Sequence, residues 1–179
     1  NSSWWKKTFG ISDKEQIIRC IGIDWNKNAG TEFVVVTYIP HVHRYIISES
    51  VNIPSGEFSA LKWREELVRL NYKWKPDYIY ADEGYGHTII EDLKLIAFNL
   101  LQKVNKTLQD IETIKLKDRL KAYNFSSKIE LRNPLDGTIF EKGGKEFLVE
   151  NAQRIFEDGG PGGNGIIFFP EKDNQLKDE

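Results

Sequence analysis

The chain has 179 residues, 40% of them hydrophobic and 12% aromatic, enough for one domain with a real core and too apolar for a disordered tail. Its single cysteine, Cys20, excludes both an internal disulfide framework and a cysteine-based zinc site, and suits reducing surroundings. No apolar run reaches membrane-spanning length, and residues 1–7 lack the apolar stretch of a signal peptide.

The net charge of −2 conceals a partition. Residues 103–145 carry ten Lys/Arg against six Asp/Glu, residues 146–179 carry three against eight, and the first 102 carry twelve against thirteen. A basic middle segment fits phosphate contacts; it fits the solvated faces of helices and loops equally well.

In chain order, residues 1–17 read as a lead-in segment or linker remnant. The adjacent Trp4 and Trp5 would cover a domain edge or mark where a neighbour docks, and a start without Met points to a piece of something longer. Ser12, with Glu15 three residues on, has the spacing of a capping box and predicts a short helix. The domain proper runs from 18 to 179, with Cys20 a buried thiol just before its first strand. Residues 21–26 form a short apolar strand that ends in a carboxylate, Asp24. A turn at 28–31 leads into the strongly β-prone 33–38, which predicts an antiparallel return. A third strand is expected over 42–51. His41 and His43 would share one face of an extended chain, a spacing that can bind metal. With no third histidine or cysteine beside them, an exposed pair is the better reading.

Ala60, Trp63, Leu67 and Leu70 recur at helical spacing and predict a helix over 57–71. Residues 78–82 read as a buried strand tipped by Asp82 and Glu83. A helix over 86–102 follows, with a core-facing stripe through Ile89, Ile90, Leu93, Ile96, Ala97, Leu100 and Leu101. The start of that helix offers free backbone N–H groups beside the acids, and His87 is a candidate to approach a phosphate there or an ordinary first-turn residue. The basic stretch 115–121 has weak periodicity and resists assignment. Residues 127–132 and 138–141 predict two strands around the turn signal 133–137, a hairpin surrounded by Lys128, Arg132, Lys142 and Lys145. A helix over 145–158 should face Leu148, Ala152, Ile155 and Phe156 inward. The glycine-rich 159–165 lacks the pattern of a P-loop or a dinucleotide fingerprint and reads as a flexible connection. Residues 166–169 form a last strand.

Two strand-end carboxylates in one small α/β domain are what a divalent-metal site requires, because Mg²⁺ takes a few carboxylate oxygens and keeps positions open for water and phosphate. Strand alternation lets only one of Asp82 and Glu83 face the metal.

The string of three strands, a helix, a strand, a helix, a hairpin, a helix and a strand resembles the ribonuclease H-like fold. That fold is a mixed α/β sheet whose first three strands form an antiparallel meander, flanked by helices; here it carries an extra hairpin. More specifically, Gly22-Ile23-Asp24-Trp25-Asn26 resembles the first acidic motif of the nuclease domain of the viral DNA-packaging terminase large subunit, of the tailed-phage type. Ala81-Asp82-Glu83-Gly84-Tyr85-Gly86-His87 with Glu91-Asp92-Leu93 resembles the second. Lys145 to Ala152, Arg154 to Gly159 and Ile167-Phe168-Phe169-Pro170 are similar to the helix and strand before the third. The likeness extends from about residue 18 to the end.

The resemblance implies a metal-dependent endonuclease that cuts concatemeric viral DNA during packaging. Asp24 would bridge two Mg²⁺ or Mn²⁺ ions, and Asp82, favoured over Glu83, would hold one of them. Lys128, Arg132 and Lys142 would grip the duplex. Its partners would be double-stranded DNA, a packaging ATPase domain of the same polypeptide, the small terminase subunit and the portal, in the cytoplasm of the infected host cell and without a membrane. The family's third acid lies beyond the final strand, where this sequence stops. The resemblance therefore implies a C-terminally truncated domain with weak cleavage, unless Glu150, Asp158 or Asp178 substitutes. The rivals are a resolvase- or transposase-like nuclease of the same fold and a non-catalytic DNA-clamping module.

Overall fold

The computed structural model describes residues 10–12, 15–26, 30–158 and 167–168. Six strands form one mixed sheet in the order β5-β4-β1-β2-β3-β8. β1 (Ile18–Asn26), β2 (Gly30–Ile39) and β3 (Arg44–Ile53) make the antiparallel meander, and β4 (Tyr78–Asp82) joins parallel beside β1. β5 (Leu120–Tyr123) extends that edge in parallel, and the two-residue β8 (Ile167–Phe168) closes the other beside β3. This is the expected mixed α/β sheet flanked by helices, compatible with a ribonuclease H-like arrangement. A separate hairpin, β6 (Lys128–Arg132) and β7 (Ile139–Gly143), stands outside the sheet.

Alternation decides which face is filled. Ile21, Ile23 and Trp25 of β1, Phe33 and Val35 of β2, and Ile79 and Ala81 of β4 point to one side and are buried. Against them pack α1 (Ala60–Trp74) through Trp63, Leu67 and Leu70, α2 (Glu83–Leu101) through Ile90 and Leu93, and α3 (Leu108–Arg119) through Leu116. α1 starts at Ser59, whose hydroxyl accepts the Lys62 N–H at 3.1 Å, and ends at Lys75 in the left-handed conformation. The other sheet face carries Gly22, Asp24, Tyr78 and Tyr80, all exposed. None of the helices among the described residues is long and apolar enough to cross a membrane.

Several expectations are corrected. The unassigned basic stretch belongs to α3 and β5. α3 opens with a reciprocal capping box: the Thr107 hydroxyl accepts the Asp110 N–H, and the Asp110 carboxylate accepts the Thr107 N–H. Its weak periodicity follows from burying only Thr113 and Leu116. The helix expected at Ser12 falls partly on residues outside those described; the Ser12 carbonyl accepts the Glu15 N–H in a single turn, and residues 15–17 are not helical. Pro40 to Val42 form a 3-10 turn, and His43 is left-handed, so β3 starts at Arg44. α4 (Gly144–Asp158) packs against the hairpin, not the main core: Leu148, Ala152 and Phe156 are exposed and Ile155 is only half-buried. Leu101, expected in the core, is 42% exposed. Cys20 is half-buried on the open face, where burial, then the Asp77 charge, push its thiol pKa up. The glycine-rich loop and residues 169–179 lie outside the described residues.

Candidate active site

The site follows from one register. β1 and β4 run parallel with Cys20 level with Tyr78, Gly22 with Tyr80 and Ile23 with Ala81. One step further, the same offset sets Asp24 level with Asp82. Level residues on parallel strands point to the same side, and neighbouring strands lie about 4.8 Å apart. Both carboxylates therefore stand at the C-terminal ends of adjacent strands, on the open face opposite the buried Ile23 and Ala81.

Both are also unspent. Asp82 occupies the N-cap position of α2, with φ −58° and ψ 127°, yet its side chain makes no capping hydrogen bond. Asp24 and Asp82 have no hydrogen-bond or ion-pair partner among the described residues. Glu83 is the first helical residue, beyond the end of β4.

The same row continues across the meander. Asp24 is level with Glu32 on β2, and Glu32 with Asn52 on β3. Glu32 is a carboxylate that the sequence reading missed, because only the β1–β2 register brings it beside Asp24. Its Oε1 accepts the Asn52 Nδ2–H at 2.5 Å. Among the described residues no group of three His, Cys, Asp or Glu is placed to hold a metal ion. The structure thus presents two carboxylates without a partner among the described residues, with a third acid, bonded to an amide, next in line.

Two carboxylates near the ends of adjacent strands, with no cation paired to either among the described residues, are oxygen donors of the kind that Mg²⁺ and Mn²⁺ take. His41 and His43 do not join this set. His41 Nε2 lies 3.3 Å from a Glu15 oxygen, and His43 Nδ1 lies 3.2 Å from the Tyr38 hydroxyl. His87 is exposed one turn before Glu91.

The hairpin is rooted beside the acids. On β5, Tyr123 is level with Asp82. Its ring packs edge-on against Phe125 with centroids 5.3 Å apart. The Gly144 N–H donates to the Ser127 carbonyl at 2.7 Å, and the Lys145 N–H donates to the Phe125 carbonyl at 3.1 Å. Gly144 is needed there: a Cβ would come within 2.9 Å of the Ser127 carbonyl oxygen and 3.1 Å of the Tyr123 hydroxyl.

The three expected DNA-gripping cations do not share a surface. Lys128 and Arg132 alternate onto the hairpin's outer face, Lys128 at the root and Arg132 about 13 Å further out. Lys142 lies on the face towards α4, pairs with Glu150 and Glu146, and keeps a side chain only 20% exposed. Lys128 pairs with Glu141 at 2.5 Å but remains 71% exposed, the kind of surface bridge that exchanges readily for a phosphate.

No family model and no curated protein matches the chain. Among solved structures it is similar to the large terminase of a thermophilic bacteriophage. One crystal form of that terminase aligns at 13% identity with a TM-score of 0.38, covering 79% of this chain and 39% of that one. A second form aligns at 14% identity and 0.38, covering 79% and 38%. The complex with ATP-gamma-S aligns at 14% and 0.37, covering 79% and 39%. The chain therefore spans about two-fifths of the length of those terminase chains. A likeness at that TM-score assigns no residue a role.

Proposed function

We propose that this chain is a metal-dependent endonuclease domain of the terminase large-subunit type, which cuts concatemeric viral DNA during packaging. The observation that carries the reading is that the register of the parallel strands β1 and β4, continued one step past Ile23 and Ala81, brings Asp24 beside Asp82, with no partner to either carboxylate among the described residues. The acidic motifs around the two residues supply the family resemblance.

Asp24 and Asp82 would hold Mg²⁺ or Mn²⁺. When bound, the metal supplies Lewis-acid charge to the scissile phosphate and lowers the pKa of a coordinated water. The protein's own groups account for the rest. Trp25 and Ala81, buried next to the acids in sequence, anchor the two strand ends in the core so that the carboxylates keep their spacing. Lys128 and Arg132 on the outer hairpin face would meet backbone phosphates and set the duplex relative to the acids. Lys142 would brace the hairpin on α4.

The test is plasmid cleavage with Mg²⁺ or Mn²⁺ by this chain, beside Asp24→Ala and Asp82→Ala. Metal-dependent nicking that both substitutions abolish supports the reading. A second reading, a DNA-clamping module, is favoured by the finding that no third acid converges on the two carboxylates among the described residues. It predicts salt-sensitive DNA binding that neither substitution nor chelation alters, with no cleavage. That result would sink the nuclease.

A further inference from the structure

The helix layer has an outer surface that the core does not use. α2 buries Ile90, Leu93 and Ala97 towards the sheet. Helical spacing therefore puts Leu95 and Phe98 on the side away from it, with Leu101 at the border. Val104 continues this patch past the helix end, and α3, packed alongside α2, adds Leu108 and Ile111. These side chains are between 37% and 92% exposed. Together they present roughly 600 Å² of apolar surface, the upper end of what the largest patch on an ordinary monomer shows, and a mark of contact with another protein.

The order of residues selects the occupant. Leu95 and Leu101 stand three residues to either side of Phe98, so the apolar row is symmetric about that ring. The charges at its two ends are opposite. Before the row, Glu91 and Asp92 against Lys94 leave one negative charge; beyond it, Lys103 and Lys106 against Asp110 leave one positive. Glu91 pairs with Lys94 at 2.7 Å and Lys103 with Asp110 at 2.7 Å. The Lys106 ammonium donates only to the Lys103 carbonyl, and neither it nor Asp92 has an ion-pair partner among the described residues. A second α2 laid antiparallel on the first, Phe98 against Phe98, sets Leu95 of each copy opposite Leu101 of the other. The same placement sets each acidic end against a basic one. A copy of this chain meets both conditions by symmetry, as a two-fold contact requires. The area agrees, since two such patches bury about 1,200 Å², the lower end of stable specific interfaces.

We infer that the chain pairs with a second copy of itself through the outer faces of α2 and α3, about a two-fold axis at Phe98. This goes beyond the endonuclease reading and does not depend on it. Asp82 lies about 24 Å along α2 from Phe98. The two acid pairs therefore stand at opposite ends of the dimer, and the contact covers neither.

The experiment is sedimentation velocity of this chain across the micromolar range, with thermal melting of each variant as a check on folding. Wild type should pass from monomer to dimer as its concentration rises. Phe98→Glu should weaken the dimer about tenfold or more, because it places two charges at the centre of the contact. Glu91→Lys and Lys106→Glu should each weaken it about threefold, the size of an exposed charge contact. The two together in one chain should restore it to within about twofold, because the exchanged charges meet again across the axis. A second measurement reads the register without Phe98. In a Cys20→Ser background, mixed Leu95→Cys and Leu101→Cys chains should oxidise to a disulfide-linked pair faster than either does alone. A wild type that stays monomeric would overturn the inference and leave the patch to a different protein. A dimer that folded Phe98→Glu leaves intact would overturn it too, by placing the contact elsewhere. A double charge exchange as weak as the single ones, or equal oxidation rates in mixed and unmixed chains, would remove the two-fold axis at Phe98. None of these results bears on cleavage, which the acid variants decide.

Discussion

A Cβ on Gly86 would lie 2.1 Å from both Cδ1 and Nε1 of Trp25. Gly86 sits in the first turn of α2, just after Asp82, and Trp25 is the residue after Asp24. The contact therefore ties together the two elements that carry the acids. The indole has nowhere to go. It is 4% exposed, edge-on to Phe33 at 6.2 Å and to Trp63 at 5.3 Å, and its Nε1 has no hydrogen-bond partner among the described residues. Shape alone holds it. Gly86→Ala is expected to cost about 1–3 kcal/mol, as overpacking does. For a chain of this length that lowers Tm by roughly 3–10 °C in a melting experiment, with metal affinity falling alongside as the two acids shift.

The acid pair makes a prediction about stability apart from cleavage. Without metal, neither carboxylate has a hydrogen-bond or ion-pair partner among the described residues through which it could add to stability. Asp24→Asn should therefore melt at or above the wild-type temperature in chelator. Mn²⁺ should raise the wild-type Tm, because a ligand that binds only the folded state stabilises it, and should leave Asp24→Asn unmoved. Equal Mn²⁺ shifts in both proteins would place the metal elsewhere.

Asp110 offers a pH signature. The Lys103 ammonium, with the Thr107 backbone and hydroxyl, holds its carboxyl down at about 2, below the ordinary 3.8. A depressed carboxylate contributes stability that is present above its unfolded pKa and lost as pH falls through its folded one. The Tm gap between wild type and Asp110→Asn should stay constant from pH 7 to about 4 and close between about 4 and 2. A gap that persists at pH 2 would assign the effect to geometry and not to charge.

The hairpin cations should separate into two kinds. Lys128→Ala and Arg132→Ala should weaken duplex binding and each remove about one charge from its salt dependence. Lys142→Ala should change duplex affinity less and instead loosen α4 from the hairpin, since it removes the partner of Glu150 and Glu146. Limited proteolysis within residues 128–158 would read that loosening.

Glu49 is a structural counterpart. Its pKa is pulled up by burial, but hydrogen bonds from Lys73, Trp74 and Arg69 outweigh this and hold it below the usual carboxylate range. Glu49→Ala leaves the nearly buried Trp74 Nε1–H without an acceptor and should cost about 1–3 kcal/mol by denaturant melting.

Local chemistry made much of this protein legible in one dimension. Alternation through Ile21, Ile23 and Trp25, and through Phe33 and Val35, marks strands with one buried side. The spacing of Trp63, Leu67 and Leu70 marks a helix, and Asn133 to Gly137 mark a tight turn. These patterns also place Asp24 and Asp82 near strand ends, Asp24 between the buried Ile23 and Trp25 and Asp82 just after the buried Ala81. α3 was harder to see: it buries little, so hydrophobic period could not reveal it, and Thr107 with Asp110 was the only local sign. Sequence pattern does not contain register. That Asp24 stands level with Asp82, that Glu32 comes next in the row, and that Lys142 turns away from Lys128 and Arg132 all depend on pairings between segments far apart or on packing against a helix. A slip of one residue would send each side chain to the opposite face. Only the core, by requiring Ile23 and Ala81 to be buried together, decides which slip is allowed.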